Sequence, residues 1–261
     1  MEIKIALAGN PNSGKTTLFN NLTGSRQRVG NWPGVTVEKK EGTLKGHNEV
    51  TIQDLPGIYS LSPYSLEEVV SRNYLVKEKP DAILNIVDGT NIERNLYLTT
   101  QLLELGIPMV VAVNMMDLVE RNGDKIDISK LSQELDCPVI EISALKGKGT
   151  KEAALKAVEV AKSHHAAKIS QTYTKDIETT LKKIETVIEN QVNHTMLRWY
   201  AVKVFERDER IDEFIQLDTA QKSQIEPWIQ SVEEKIDDDS ESIITSQRYD
   251  FITKIVSHAV K

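Results

Sequence analysis

Cysteine occurs once in the 261 residues, at Cys137, so no internal disulfide can form and a reducing compartment is the natural setting. No stretch approaches the ~18 apolar residues that a membrane-spanning helix needs; MVVAV at 109–113 has only the length of a buried strand. The opening MEIKIALAGN lacks the charged lead and long apolar core of a signal peptide. Basic residues are in deficit, 32 Lys and Arg against 39 Asp and Glu, for a net charge of −7. That balance argues against a surface built to embrace nucleic acid, although it leaves room for a local basic patch. Internal repeats and low-complexity segments are also lacking. A soluble, cytosolic chain of one or two domains is expected, complete or as the soluble part of something larger.

What is present is a run of apolar strands, at 2–8, 50–54, 82–88, 109–114 and 139–142, alternating with helical stretches at 66–77, 93–105, 129–135 and 150–163. Alternation of this kind predicts an α/β, doubly wound, mostly parallel sheet covered on both faces. A hairpin through Gly46-His47-Asn48, joining 37–44 to 50–54, makes one edge antiparallel. Near 164–174 the character changes. Ile177, Leu181, Ile184 and Ile188 step at helical spacing, as do Ile225, Ile229, Val232 and Ile236; Leu197, Ala201, Val204 and Phe205 share a face, and Ile252, Ile255, Val256 and Ala259 another. The acidic run 237–241 reads as a solvated helix end and turn. Two domains are therefore expected: a P-loop domain over 1–165 and a small all-α domain over 171–261.

Gly9-Asn10-Pro11-Asn12-Ser13-Gly14-Lys15-Thr16 matches G-x-x-x-x-G-K-[ST] between a strand and a helix. The glycines let backbone N–H groups and a helix N-terminus face phosphates, Lys15 bridges the β- and γ-phosphates, and the Thr16 hydroxyl binds Mg²⁺; Thr17 belongs to the same phosphate site. Asp54-Leu55-Pro56-Gly57 follows a strand, placing Asp54 to hold Mg²⁺ and the Gly57 N–H to meet the γ-phosphate. Asn114-Met115-Met116-Asp117 ends another strand. There the Asp117 carboxylate accepts two hydrogen bonds from guanine that adenine cannot offer. Met115 stands where the usual N-K-x-D pattern has lysine. Ser143-Ala144-Leu145, after the last strand, orients a backbone N–H toward guanine O6. Gly34-Val35-Thr36 lies between the phosphate loop and Asp54, where a switch threonine closes on Mg²⁺ and the γ-phosphate. Singly these motifs are weak, but four of them in order, each at a strand end, predict a GTPase that binds GTP and GDP.

Ile58 and Tyr59 follow Gly57, where Ras-like enzymes carry a glutamine that orients the attacking water. Slow intrinsic hydrolysis is expected, with catalysis resting on Asn12, Lys15, Thr36 and Gly57. Two readings of Asn12 stand open. In GTPases with a P-N-x-G-K loop such an asparagine helps coordinate K⁺, the carbonyls of Gly30 and Trp32 completing the site; otherwise it hydrogen-bonds its own backbone. His47, His164, His165, His194 and His258 are scattered and read as surface histidines, and Cys137 as a small buried residue. A ribosome- or RNA-associated GTPase is the second reading of the whole, and residues 171–261 offer it neither a Gly-x-x-Gly clamp nor a basic stripe. A nucleotide-dependent switch with negligible turnover is the third.

The segments GNPNSGKT at 9–16, QRVGNWPGVTVE at 27–38, DLPGIYSL at 54–61 and ERNLYL at 93–98 closely resemble the bacterial ferrous iron transport protein B family. The resemblance covers both parts, the second taking the place of that family's GDI-like spacer. It implies that the full protein continues into a membrane domain moving Fe²⁺ into the cell, with these domains on the cytoplasmic face of the inner membrane. It also implies that nucleotide state is coupled to the pore, and that homo-oligomers are possible. The family's N-x-x-D and its hydrophobic residue after D-x-x-G fit Asp117 and Ile58. Nothing in the chain resembles an iron site.

Overall fold

The computed structural model describes residues 2–164, 166–167 and 173–261; the expected domain limits at 165 and 171, and His165, lie outside the described residues. Seven strands form one sheet: β1 (Ile3–Gly9), β2 (Gln27–Asn31), β3 (Glu38–Thr43), β4 (Val50–Asp54), β5 (Ala82–Asp88), β6 (Met109–Asn114) and β7 (Val139–Glu141). Their order is β2-β3-β4-β1-β5-β6-β7. Pairing is parallel from β4 through β7 and antiparallel in β2–β3 and β3–β4, as the hairpin through Gly46 requires.

Helices α1 (Lys15–Thr23) and α6 (Thr150–Ser163) cover one sheet face, where Leu18, Phe19, Ala153 and Ala157 pack on Ile5, Leu7, Leu84 and Val110. On the other face lie α2 (Leu66–Asn73), α3 (Ile92–Glu104), α4 (Met116–Asn122) and α5 (Ile128–Leu135). The period-2 pleat sends Ala6, Ile83, Val87, Val111 and Val113 to that side, against Leu96, Leu103 and Leu135. The same apolar cluster runs on into the all-α part: α7 (Lys175–Ile188), α8 (Leu197–Phe205), α9 (Thr219–Ile236) and α10 (Ser240–Ala259). Burying Ile177, Leu181, Ile184 and Ile188 along one stripe of α7 satisfies the spacing seen in the sequence. In the acidic run, Asp237 closes α9 in the left-handed region and Asp239 caps α10 by accepting from the Ser242 N–H at 2.9 Å.

Three elements differ from the sequence expectations. β2 was not expected; its residues alternate no apolar side chains, and it forms as an edge strand because β3 offers a complete antiparallel register from Gln27↔Gly42 to Asn31↔Glu38. The helix expected over 66–77 leaves α-geometry at Asn73 and finishes as a π-helical turn, Tyr74–Glu78. α4 follows the Asn114 motif directly and was too short and polar to show a period.

A chain of alternating charges joins the two parts. Arg72, at the end of α2, makes a two-pronged pair with Asp208 at 2.7 and 2.9 Å, its guanidinium lying over Trp199 and Phe214. Lys203 bonds Glu206 at 2.8 Å and lies 3.7 Å from Asp208; Arg248 bonds Glu206 at 2.9 Å and Glu104 of α3 at 2.8 Å; Tyr173 donates to Glu104. Three cations meet three carboxylates, so the buried network is neutral, the condition under which burial of charge is tolerated.

Candidate nucleotide site

The phosphate loop leaves β1 at Gly9, where a Cβ would stand 2.5 Å from Ile86 Cγ2, and turns into α1 through Gly14 at φ 93°. A Cβ on Gly14 would meet Asn114 Nδ2 at 2.3 Å, so glycine is required on both counts. Asn10 and Ser13 are buried, with Asn10 Oδ1 and Ser13 Oγ lacking any acceptor or donor among the described residues. Pro11 is half-buried, and Asn12, Thr16 and Thr17 are exposed. Asn12 sits at φ 66°.

Lys15 is buried and its ammonium pairs with Asp54 at the end of β4. Desolvation pushes the Asp54 carboxyl above its ordinary range, and Lys15 pulls it back. Beyond Asp54, Leu55 is buried with its N–H on the Leu7 carbonyl at 3.0 Å, and Pro56 is half-buried. Gly57 then passes so close to the phosphate loop that a Cβ would lie 3.3 Å from Pro11 Cα. The Ile58 N–H reaches the Gly9 carbonyl at 3.2 Å, and its side chain is buried, 2% exposed, so it does not face solvent at all.

Asn114 organises the opposite end. Its Nδ2 donates to the Ser13 carbonyl at 2.8 Å and its Oδ1 accepts from the Ala144 N–H at 2.9 Å, tying the phosphate loop to the segment after β7. Met115 takes the left-handed region at φ 63° to turn the chain into α4, Met116 is buried in the core, and Asp117 is half-buried, paired with Lys146 at 2.8 Å. The Lys146 ammonium beside Asp117 holds its carboxyl below the usual range. Ser143 and Ala144 are buried, whereas Leu145 stands 89% exposed at the tip of the same loop.

Lys15, Asp54, Gly57, Asn114 and Ala144 thus surround one end of the sheet, along the carboxyl ends of parallel strands, where ligands of open α/β sheets bind. Residues 3–157 match the family described as ferrous iron transport protein B, and residues 173–261 match the FeoB cytosolic helical domain. The chain belongs to the ferrous iron transport protein B family.

Among FeoB relatives, the Fe(2+) transporter FeoB of Escherichia coli K12 is 44% identical over 212 residues, 79% of this chain and 27% of the relative. That of Salmonella choleraesuis is 50% identical over 171 residues, 64% of this chain and 22% of the relative. The chain therefore spans about a quarter of the length of these curated relatives. A GDP-bound variant of the S. thermophilus FeoB G-domain superposes with a TM-score of 0.95 at 46% identity, covering 99% of this chain and 100% of that one. The mGMPPNP-bound NFeoB from S. thermophilus superposes with a TM-score of 0.88 at 48% identity, covering 98% and 97%. The P-loop G domain followed by a helical domain, expected from the motifs, is the FeoB arrangement.

In this FeoB chain the segment ahead of Thr36, where a switch was expected, begins as β2. Gly30 pairs with Lys39, the Trp32 N–H reaches the Val37 carbonyl at 2.9 Å, and the Trp32 carbonyl accepts from Val35 at 3.2 Å. The tight turn between them passes through Gly34 at φ 76°, Val35 is half-buried, and Thr36 is exposed. Two neighbours of the site were not legible in the sequence. Lys146 reaches Asp117 only because the Ser143–Lys148 turn folds back. The Arg94 guanidinium lies 4.4 Å over the Tyr59 ring while its carbonyl accepts from Asn10 at 3.5 Å. Cys137 is buried as expected, its thiol pushed up to about 12, and no group of three or more His, Cys, Asp or Glu able to hold a metal occurs among the described residues. No helix among them is long and apolar enough to cross a membrane.

Proposed function

We propose that this chain binds guanine nucleotide and hydrolyses GTP, as the regulatory part of an Fe²⁺ transporter whose membrane domain lies outside these residues. The observation that carries the reading is Asn114, whose single amide holds the phosphate loop and the Ser143-Ala144-Leu145 segment together. One ligand spanning both is the simplest use of that tie. Support comes from the S. thermophilus relatives, whose structures hold GDP, GMPPNP and GDP·AlF4⁻. The names of the longer relatives support Fe²⁺ transport, and the match of residues 173–261 to the FeoB cytosolic helical domain supports a place on the cytoplasmic side.

Phosphates would lie along Gly9–Gly14, the residues Asn10, Pro11, Ser13, Lys15, Thr16 and Thr17 facing them, and guanine between Asn114, Met115, Met116, Asp117 and Ser143, Ala144, Leu145. The buried, solvent-stripped Asp54 carboxylate and the unpartnered Thr16 hydroxyl fit a hard divalent cation, with Thr36 joining when residues 27–37 close; Mg²⁺ there would neutralise charge on the phosphate oxygens. On nucleotide binding, the Lys15 ammonium would exchange Asp54 for phosphate oxygen, which a lysine accepts readily as a point charge. The Gly57 N–H, held against Pro11, would donate to the γ-phosphate.

We read Asn12 as a potassium ligand, its exposed side chain standing on the phosphate loop beside the place the nucleotide phosphates would take. Gly30 and Trp32 could supply carbonyls only after Gly30 leaves β2 and Trp32 leaves its turn, since Val35 now holds the Trp32 carbonyl. Steady-state GTP turnover in KCl is expected to exceed that in NaCl by about tenfold or more, the scale of one added transition-state charge contact. Equal rates remove potassium from the account while leaving nucleotide binding intact.

A further inference from the structure

A trough of about 870 Å³ opens between the β2–β3 edge and the end of α2, away from the nucleotide site, within the roughly 300–1,000 Å³ range of small-molecule sites. Its floor is the part of the sheet face that no helix covers. The pleat presents Thr43, Thr51 and Lys4 in one cross-strand row and Arg28, Glu41 and Gln53 in the next. The π-helical turn makes the far wall with Tyr74 and Lys77, and Trp32 closes one end.

Its charge is opposite to that of the protein. Five cations line it, Lys4, Arg26, Arg28, Lys39 and Lys77, against Glu2, Glu41 and Glu78, a local balance of 5 − 3 = +2 in a chain of net −7. Most of this charge is not neutralised locally. Lys39 and Lys77 lie over the rings of Trp32 and Phe214 at 5.0 and 5.1 Å, Arg26 bonds the neutral Asn48, and Arg28 reaches Glu41 only at 3.6 Å. Trp32 itself is 8% exposed, and its indole N–H is a buried donor without an acceptor.

We propose that this trough binds a small phosphate-bearing anion, the lysines supplying charge, Thr43 and Thr51 supplying donors, and Trp32 and Tyr74 an aromatic wall. Lysine suits phosphate because its ammonium is a point charge with three free donors. Trp32 belongs to the switch segment and rests edge-on against Tyr74 at 5.5 Å. An occupied trough therefore holds Trp32 against Tyr74 and residues 27–31 in β2, and opposes the closing of residues 27–37 over nucleotide, a consequence that rests on the proposed GTP-dependent closure. Binding itself does not.

The test is two-dimensional NMR of the ¹⁵N-labelled chain saturated with GDP and with magnesium in excess, the Trp32 indole signal assigned with Trp32→Phe. Titrated tripolyphosphate is expected to shift that signal saturably, with a dissociation constant below about 1 mM. Lys39→Gln and Lys77→Gln should each weaken the effect about three- to tenfold, while Lys182→Gln on α7 leaves it unchanged. Vesicles of phosphatidylglycerol form the second arm. If they alone move the signal, the phosphate chemistry stands and a lipid headgroup is its source. No shift in either arm, or the same shift in both trough variants, overturns the proposal. The Gly14 and Lys15 amides in the same spectra report anion at the phosphate loop, so failure of the nucleotide reading is seen separately.

Discussion

Asn114 reaches two ways from the end of β6, to Ser13 at 2.8 Å and to Ala144 at 2.9 Å, and both bonds depend on Gly14 having no side chain. Gly14→Ala is therefore expected to lower stability by about 1–3 kcal/mol, from backbone strain at φ 93° and a collision at 2.3 Å. It should lower nucleotide affinity further still, read by thermal melting with and without GDP. In the proposed complex Asp117→Ala would remove two charge-assisted hydrogen bonds to guanine, worth about 1.5–3 kcal/mol each. GDP affinity should fall at least about a hundredfold while the melting temperature of the nucleotide-free protein stays within a few degrees, because the ion pair Asp117 makes is with the exposed Lys146. At this scale much of the site could be read in the sequence, since phosphate and guanine chemistry fix both residue type and order along the chain. Lys146 and Arg94 could not. Each arrives through a loop or a helix turn whose path no motif encodes, and neither stands at a strand end.

At the scale of elements, α2 and α3 flank the nucleotide site and are also the two helices anchored by buried charge to the all-α part. Arg72→Met leaves Asp208 buried without its guanidinium and is expected to cost about 3–5 kcal/mol in chemical denaturation. Adding Asp208→Leu should recover a good part of that loss, because a neutral pair is restored; additive losses would show that the pair is not coupled. The parallel strands and α6 through α10 were legible because burial imposes a period of two or near 3.6 on their apolar residues. β2 was not, since its QRVGN is exposed on nearly every residue and exists only through its pairing with β3. The π-helical turn was equally hidden. Its apolar residues Tyr74, Leu75 and Val76 fit an uninterrupted helix, and nothing local marks the change of winding.

Across the whole molecule, one face of the sheet and the all-α part share an apolar cluster, and a neutral charge network joins α2 and α3 to the all-α part. Glu206 sits at the centre of that network. Burial pushes its carboxyl up, but Lys203 and Arg248 outweigh that and hold it below its ordinary 4.5. A depressed acid stabilises the fold above its unfolded value, and that contribution is lost as pH falls through the folded value. Melting temperature is therefore expected to drop on acidification below about pH 4.5. Glu206→Gln should be less stable at neutral pH and show a shallower acid limb; identical limbs would take Glu206 out of the linkage. The raised Asp54 carboxyl has the opposite sign, its burial costing stability above its ordinary 3.8 and sparing it on protonation. All of this serves a site whose two ends, Lys15 and Asp117, are held in register by one asparagine. Nucleotide competition measures that most directly: a fluorescent GDP analogue bound to the purified chain with magnesium should be displaced by GDP and GTP at micromolar concentrations or below and by ATP only at about a thousandfold more. Equal displacement by adenosine and guanosine nucleotides would contradict the account.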